Sequence, residues 1–179
     1  MKIRSITVFC EPGYPVNRLL MQQTGIFASH ARKLFEEAGF EVQSLRLATP
    51  PFGQFVASID LPEAAQSYAI EAHADGFEYV SLGPAGYDPA EWAALPAALG
   101  RSDRVFLSGS LTTQQGELDL ANAARCAETI VSLSKLEPDG FANLRFCALA
   151  NVPACTPFFP AAYAQHEGPA FTLALQSAD

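Results

Sequence analysis

Apolar positions along this chain fall into short runs, and longer amphipathic stretches separate them. Ile3 to Cys10 is rich in β-branched and aromatic residues and stops at Pro12-Gly13, which reads as a strand and a turn. Asn17 is placed to cap a helix over 18–38, with Leu19, Leu20, Ile26, Phe27, Leu34 and Phe35 as its apolar stripe and Gly39 as its end. Val42 to Ala48 is a second strand, closed by Thr49-Pro50-Pro51. Pro62 opens a second helix that runs to Ala74, and a third strand follows over Phe77 to Leu82. Asp88 and Pro89 start a short helix around Trp92 and Leu95, which Pro96 bends or ends. Val105 to Ser108 is a fourth strand, Glu117 to Leu136 a long helix, Leu144 to Leu149 a fifth strand and Ala170 to Leu175 a sixth.

Strands alternating with helices imply a mainly parallel sheet with right-handed connections. The near-continuous apolar strands suit a sheet covered on both faces. The fold class is therefore α/β, as an open doubly wound sheet or as part of an α/β barrel. At 179 residues the chain is expected to be a single domain with a real core. It ends shortly after a strand with no helix to cover it, so we expect the N-terminal part of something longer.

Composition narrows the partners. Charged residues are 17% and the net charge is -8, with the basic residues scattered. A phosphate backbone or an anionic membrane surface would call for a basic patch, so neither is expected. Few surface charges point instead to a covered surface, by a homo-oligomeric partner or by the remainder of a longer chain. With no signal peptide or membrane span, the cytoplasm is the expected compartment. The cysteines form no zinc pattern and are expected as free thiols. No metal site is expected, and no cofactor fingerprint is present.

Ligands gather at the carboxyl ends of the strands in either architecture. That rule selects Cys10 and Glu11 after the first strand, Ser108, Ser110, Thr112 and Thr113 after the fourth, and the loop from Asn151 after the fifth. Cys155 in that loop can act as a nucleophile or be an inert buried thiol. Tyr163 and His166 are candidate proton donors. The hydroxyls of the Ser108–Thr113 loop can hold a small anionic metabolite at a helix start or simply cap that helix. Phe158 and Phe159 are expected to plug apolar surface. An enzyme acting on a small anionic metabolite, a non-catalytic metabolite-binding or regulatory protein, and a structural half-domain all remain open.

The segments SITVF (Ser5 to Phe9), LATPPF (Leu47 to Phe52), EYVSLGP (Glu78 to Pro84) and TPFFPAAY with the following PAFTLALQSAD (Thr156 to Asp179) resemble the uncharacterised family known as domain of unknown function 711. The likeness covers the chain in order. It implies a longer parent chain and a fold like that of pyruvate formate-lyase, an α/β barrel of two half-barrels, with this chain supplying about one half. It transfers no catalytic residues, because no activity is established for that family. Nothing in this chain resembles the glycyl-radical motif of the pyruvate formate-lyase class.

Overall fold

The computed structural model describes residues 1–165 and 170–177. Its order is β1 (Lys2–Phe9), α1 (Arg18–Glu37), β2 (Glu41–Val42), β3 (Leu45–Ala48), α2 (Leu61–Ala74), β4 (Tyr79–Ala85), α3 (Pro89–Leu99), β5 (Val105–Ser110), α4 (Leu120–Leu133), β6 (Phe146–Leu149) and β7 (Ala170–Gln176). The sheet runs β2-β1-β3-β4-β5-β6, all parallel, with β7 antiparallel on β1.

This topology decides between the two architectures. β1, β3, β4, β5 and β6 are neighbours in chain order, so the winding never reverses. A doubly wound sheet requires a reversal, the switch point around which its helices change faces. The sheet here curls into a half-barrel with its helices on one side. Ile6, Val8, Leu45, Leu47, Val80, Leu82, Val105 and Leu107 pack with Met21, Ala28, Ala65, Leu95 and Leu99 of those helices in the main core. Among the described residues, no helix is long and apolar enough to cross a membrane.

The expected strand over 42–48 is broken into β2 and β3. β1 carries a bulge between Ile3 and Ser5, and the backbone N–H of Gln43 and carbonyl of Ser44 bond to Ile3 and Ile6 on either side of it. The helix after Asp88 does not stop at Pro96 but continues to Leu99, because Leu95, Ala98 and Leu99 are buried against the core. The helix expected from Glu117 starts at Leu120. Asp119 caps it, and residues 112–118 form a small antiparallel excursion instead. The last strand is antiparallel, which the β-α alternation could not reveal.

The largest departure lies in α1. Its buried residues are Met21, Thr24, Gly25 and Ala28, while Leu19, Ile26, Phe27 and Leu34 of the expected stripe are exposed. The cause is a close approach. A Cβ on Gly25 would collide with the backbone carbonyl of Asp75 at the end of α2, so only the small-residue face fits there. Phe27 turns outward to meet Phe171 of β7, with ring centroids 5.6 Å apart.

Gly25→Ala is therefore expected to lose about 1–3 kcal/mol of stability in a urea titration, the usual cost of overpacking. Gly100→Ala, where a Cβ meets only van der Waals neighbours near 3.4 Å, should leave the midpoint nearly unchanged. Equal midpoints for the two variants would remove the close-approach argument.

Candidate functional site

Helices on one face leave the concave face of the sheet to be covered by something else. The segment 151–165 does this. The Thr7 hydroxyl donates to the Pro157 carbonyl (3.5 Å), the Ser81 hydroxyl to the Ala162 carbonyl (2.7 Å), and the Ala164 N–H to the Thr49 carbonyl (2.9 Å). Phe9 and Ala48 of the sheet form a second apolar cluster with Ala162, Ala164, Cys155 and Phe159. Phe159 thus packs on this chain's own sheet, while Phe158 is exposed. The segment is also braced on itself. The Tyr163 hydroxyl donates to the Val152 carbonyl and the Cys155 N–H to the Tyr163 carbonyl, both at 2.8 Å.

One edge of this segment borders a cleft of about 520 Å³ at the carboxyl ends of β4, β5 and β6. Its walls include Pro84 and Ala85 at the end of β4, Gly86 and Tyr87 after it, Ser110 at the end of β5, Thr112 to Gln114 after it, and Leu149, Asn151, Val152, Tyr163 and Gln165. None of these lining side chains is charged at neutral pH. Donors and acceptors come instead from hydroxyls, carboxamides and backbone. The Asn151 carboxamide donates to the Gly116 carbonyl (3.2 Å), joining the loop after β6 to the excursion after β5.

The cleft walls are held from behind by a polar network. Asn122 of α4 is fully buried, and its carboxamide nitrogen donates to the Gly86 carbonyl (3.0 Å) and the Ser110 carbonyl (2.9 Å). Its oxygen accepts from Arg125 (2.7 Å). The Gly86 carbonyl also accepts from the Trp92 indole (2.8 Å), and the Gly86 N–H donates to the Glu91 carboxylate (2.5 Å). Trp92 sits so close to β5 that a side chain at Gly109 would overlap its ring. The loops after β4 and β5 are therefore fixed by α3 and α4 before any ligand arrives.

The expected site residues divide. Ser110, Thr112, Thr113, Asn151 and Tyr163 come together in this cleft. Ser108 does not; it is fully buried on the strand, and its hydroxyl has no partner among the described residues. Cys10 is buried in the main core beside the Thr24 hydroxyl (3.5 Å), and Glu11 next to it is exposed. Cys155 is half-buried with φ of 60°, a left-handed conformation uncommon outside glycine, and it lies in the plug cluster rather than in the cleft wall. His166 lies outside the described residues. Tyr87, Gln114 and Gln165 also line the cleft and were not singled out from sequence, since nothing but their loop position marks them.

Burial sets the acidity of the groups. It raises the Tyr163 phenol, with a further push from Cys155, and the phenol proton is already engaged by the Val152 carbonyl. Burial likewise raises the Cys10 and Cys126 thiols and pushes the Cys147 thiol up to about 11. Among the described residues, no three His, Cys, Asp or Glu side chains converge as metal ligands.

Fold and site together define an α/β half-barrel with a neutral polar cleft at its strand ends. The family model described as "Uncharacterised ACR (DUF711)" matches residues 1–179, and the chain belongs to that family. A UPF0210 protein of Pyrobaculum islandicum is 33% identical over 140 residues, covering 70% of this chain and 29% of the relative. A UPF0210 protein of Syntrophobacter fumaroxidans is 26% identical over 160 residues, covering 83% and 35% respectively. The chain thus spans about a third of the length of these curated relatives. The family is uncharacterised and its function unknown. The half-barrel is compatible with a pyruvate formate-lyase-like architecture.

Two outcomes follow. Asn122→Ala leaves two buried carbonyls short of a donor and is expected to cost about 2–4 kcal/mol in chemical denaturation. Amide exchange at Gly86 and Leu111 should speed up with it; unchanged exchange would show that the network does not hold the cleft. Cys147, with its thiol near pKa 11, should alkylate on the order of a hundredfold more slowly than free cysteine at pH 8. Peptide mass spectrometry reads this directly, and a rate equal to that of free cysteine would contradict the burial described.

Proposed function

We propose that this chain is a small-molecule-binding module whose ligand sits in the cleft at the carboxyl ends of β4, β5 and β6. The observation that carries the proposal is the coincidence of that cleft with three adjacent strand ends, where parallel α/β sheets place their ligands. The rigid support behind Gly86 and Ser110 adds to it, since pre-organised walls lower the ordering cost of binding. A neutral lining favours an uncharged polar ligand, one with hydroxyl or amide groups, over the anion expected from the Ser108–Thr113 hydroxyls.

Binding is the better-supported reading than nucleophilic catalysis. Cys155 faces the apolar plug cluster, and the Tyr163 proton is held by a backbone carbonyl. Any chemical step on a cleft-bound ligand then draws its reactive groups from elsewhere, such as the further length that the relatives carry.

The test is a two-dimensional amide NMR titration of the chain with pooled neutral metabolites, namely sugars, nucleosides and amides. Saturable shifts are expected at Ser110, Thr112, Thr113 and Asn151. Thr112→Trp, which fills the cleft from a half-exposed position, should weaken binding at least tenfold while the rest of the spectrum stays folded. Shifts that cluster elsewhere, or that survive Thr112→Trp, refute the proposal.

A further inference from the structure

The apolar stripe of α1 that the core does not take up runs along one side of the helix. Leu19, Ile26, Phe27 and Leu34 are between 45% and 67% exposed, and Gln23 and His30 lie between them on the surface. These six residues follow one another at spacings of 4, 3, 1, 3 and 4, so the stripe reads the same from either end. Leu19 matches Leu34, Gln23 matches His30, and Ile26 with Phe27 forms the centre. Lys33 and Glu37 border the stripe and pair with each other (3.8 Å).

The same face continues onto β7. Phe171, Leu173 and Leu175 stand opposite Val8, Ile6 and Ile3 in the ladder, so they share the helix-bearing side of the sheet. Leu173 packs against the core, while Phe171 and Leu175 remain exposed. Phe171 meets Phe27 at the centre of the stripe, and a hollow of about 240 Å³ opens beside them, walled by Val8, Leu20 and Ala170. Among the described residues, β7 pairs with β1 alone. A contiguous apolar face of this kind marks an interface.

The end charges of α1 indicate what covers that face. Arg18 opens the helix and Glu36 and Glu37 close it, each at the end where the helix dipole disfavours its sign. Arg18 meets Glu71 (2.6 Å) but stays 80% exposed. A second α1 laid antiparallel reverses the mismatch, because it brings its acidic end to Arg18 and its own Arg18 to Glu36 and Glu37. The stripe itself is uncharged, so two chains of net charge -8 can approach there. We propose that a second copy of this chain packs on this face, α1 against α1 in antiparallel orientation, about a two-fold axis near Ile26 and Phe27. Leu19 of each copy then meets Leu34 of the other, and Phe171 and Leu175 flank the contact. The face shares no residue with the cleft.

The experiment is sedimentation equilibrium of the full chain over a concentration series. The average mass is expected to rise from 19.2 kDa toward twice that value. Ile26→Glu, at an exposed position beside the axis, should weaken association about tenfold or more and leave the urea midpoint unchanged. Ile59→Glu, which is exposed outside the stripe, serves as the comparator and should change nothing. Two double variants read the register. Leu19→Glu with Leu34→Glu should abolish association, whereas Leu19→Glu with Leu34→Lys should retain it, since each acid then meets a lysine of the other copy. A mass of 19.2 kDa at every concentration would overturn the proposal and leave the face to the further length that the relatives carry. So would association that survives Ile26→Glu, or that Ile59→Glu weakens equally. Equal association of the two double variants would overturn the antiparallel register.

Discussion

A parallel sheet wound in one direction places its crossover helices on one face, and the other face must be covered by different means. Here the cover is the irregular segment 151–165, rich in alanine, proline and phenylalanine. It succeeds because it meets the strands with backbone as well as side chain. Thr7, Thr49 and Ser81 each bond to it. Small residues, Ala48, Ala162 and Ala164, let it lie close. A buried loop backbone without such partners would be costly, since unpaired amides lose their water. The hydroxyls of Thr7 and Ser81 and the main-chain carbonyl of Thr49 therefore tie the cover to the concave face, and the position of the cleft follows from where that cover stops.

The cleft depends in turn on one buried carboxamide. Asn122 can donate two hydrogen bonds at once, and it uses both on carbonyls from successive strand ends. An aspartate could not donate, and an apolar side chain would take the Asn122 donor from the Ser110 carbonyl and leave the Gly86 carbonyl with the Trp92 indole alone. Arg125 fills the remaining acceptor, so the group is fully satisfied in a dry environment where half-satisfied networks are penalised. Glu91 and Trp92, adjacent on α3, hold the two sides of the Gly86 peptide in the same way.

The strand ends were legible in the sequence because proline and glycine punctuate them, and Asn17 and Asp88 act as the expected helix caps through their side-chain oxygens, whereas the helix expected from Glu117 starts only after Asp119. The strand-end rule selected Ser110, Thr112, Thr113, Asn151 and Tyr163, which the fold brings to one cleft. What failed was everything set by distance between elements. The α1 stripe was read from hydrophobicity alone, yet the contact with Asp75 selects for small size. Cys10 looked like a strand-end ligand, yet α1 packs over it and Thr24 occupies its sulfur. Arg46 carries no local signal, because only the register of β3 against β4 and the 151–165 segment bring it to Tyr79 and Phe159.

The partly buried arginines of this chain are held in two ways. Arg32 and Arg145 each find a carboxylate, at 2.8 and 2.9 Å, so the chain neutralises its partly buried cations where the fold needs them. Glu78 could have served Arg46 but is turned to Arg32 and to the first amide of β3, where it anchors the strand. Tyr79, next in sequence, offers its ring to Arg46 instead. An aromatic face attracts a cation without cancelling its charge. The Arg46 guanidinium is thereby held against Tyr79 and Phe159 with its charge intact. Arg46 is thus positioned by aromatic faces and a hydroxyl where Arg32 and Arg145 are positioned by ion pairs.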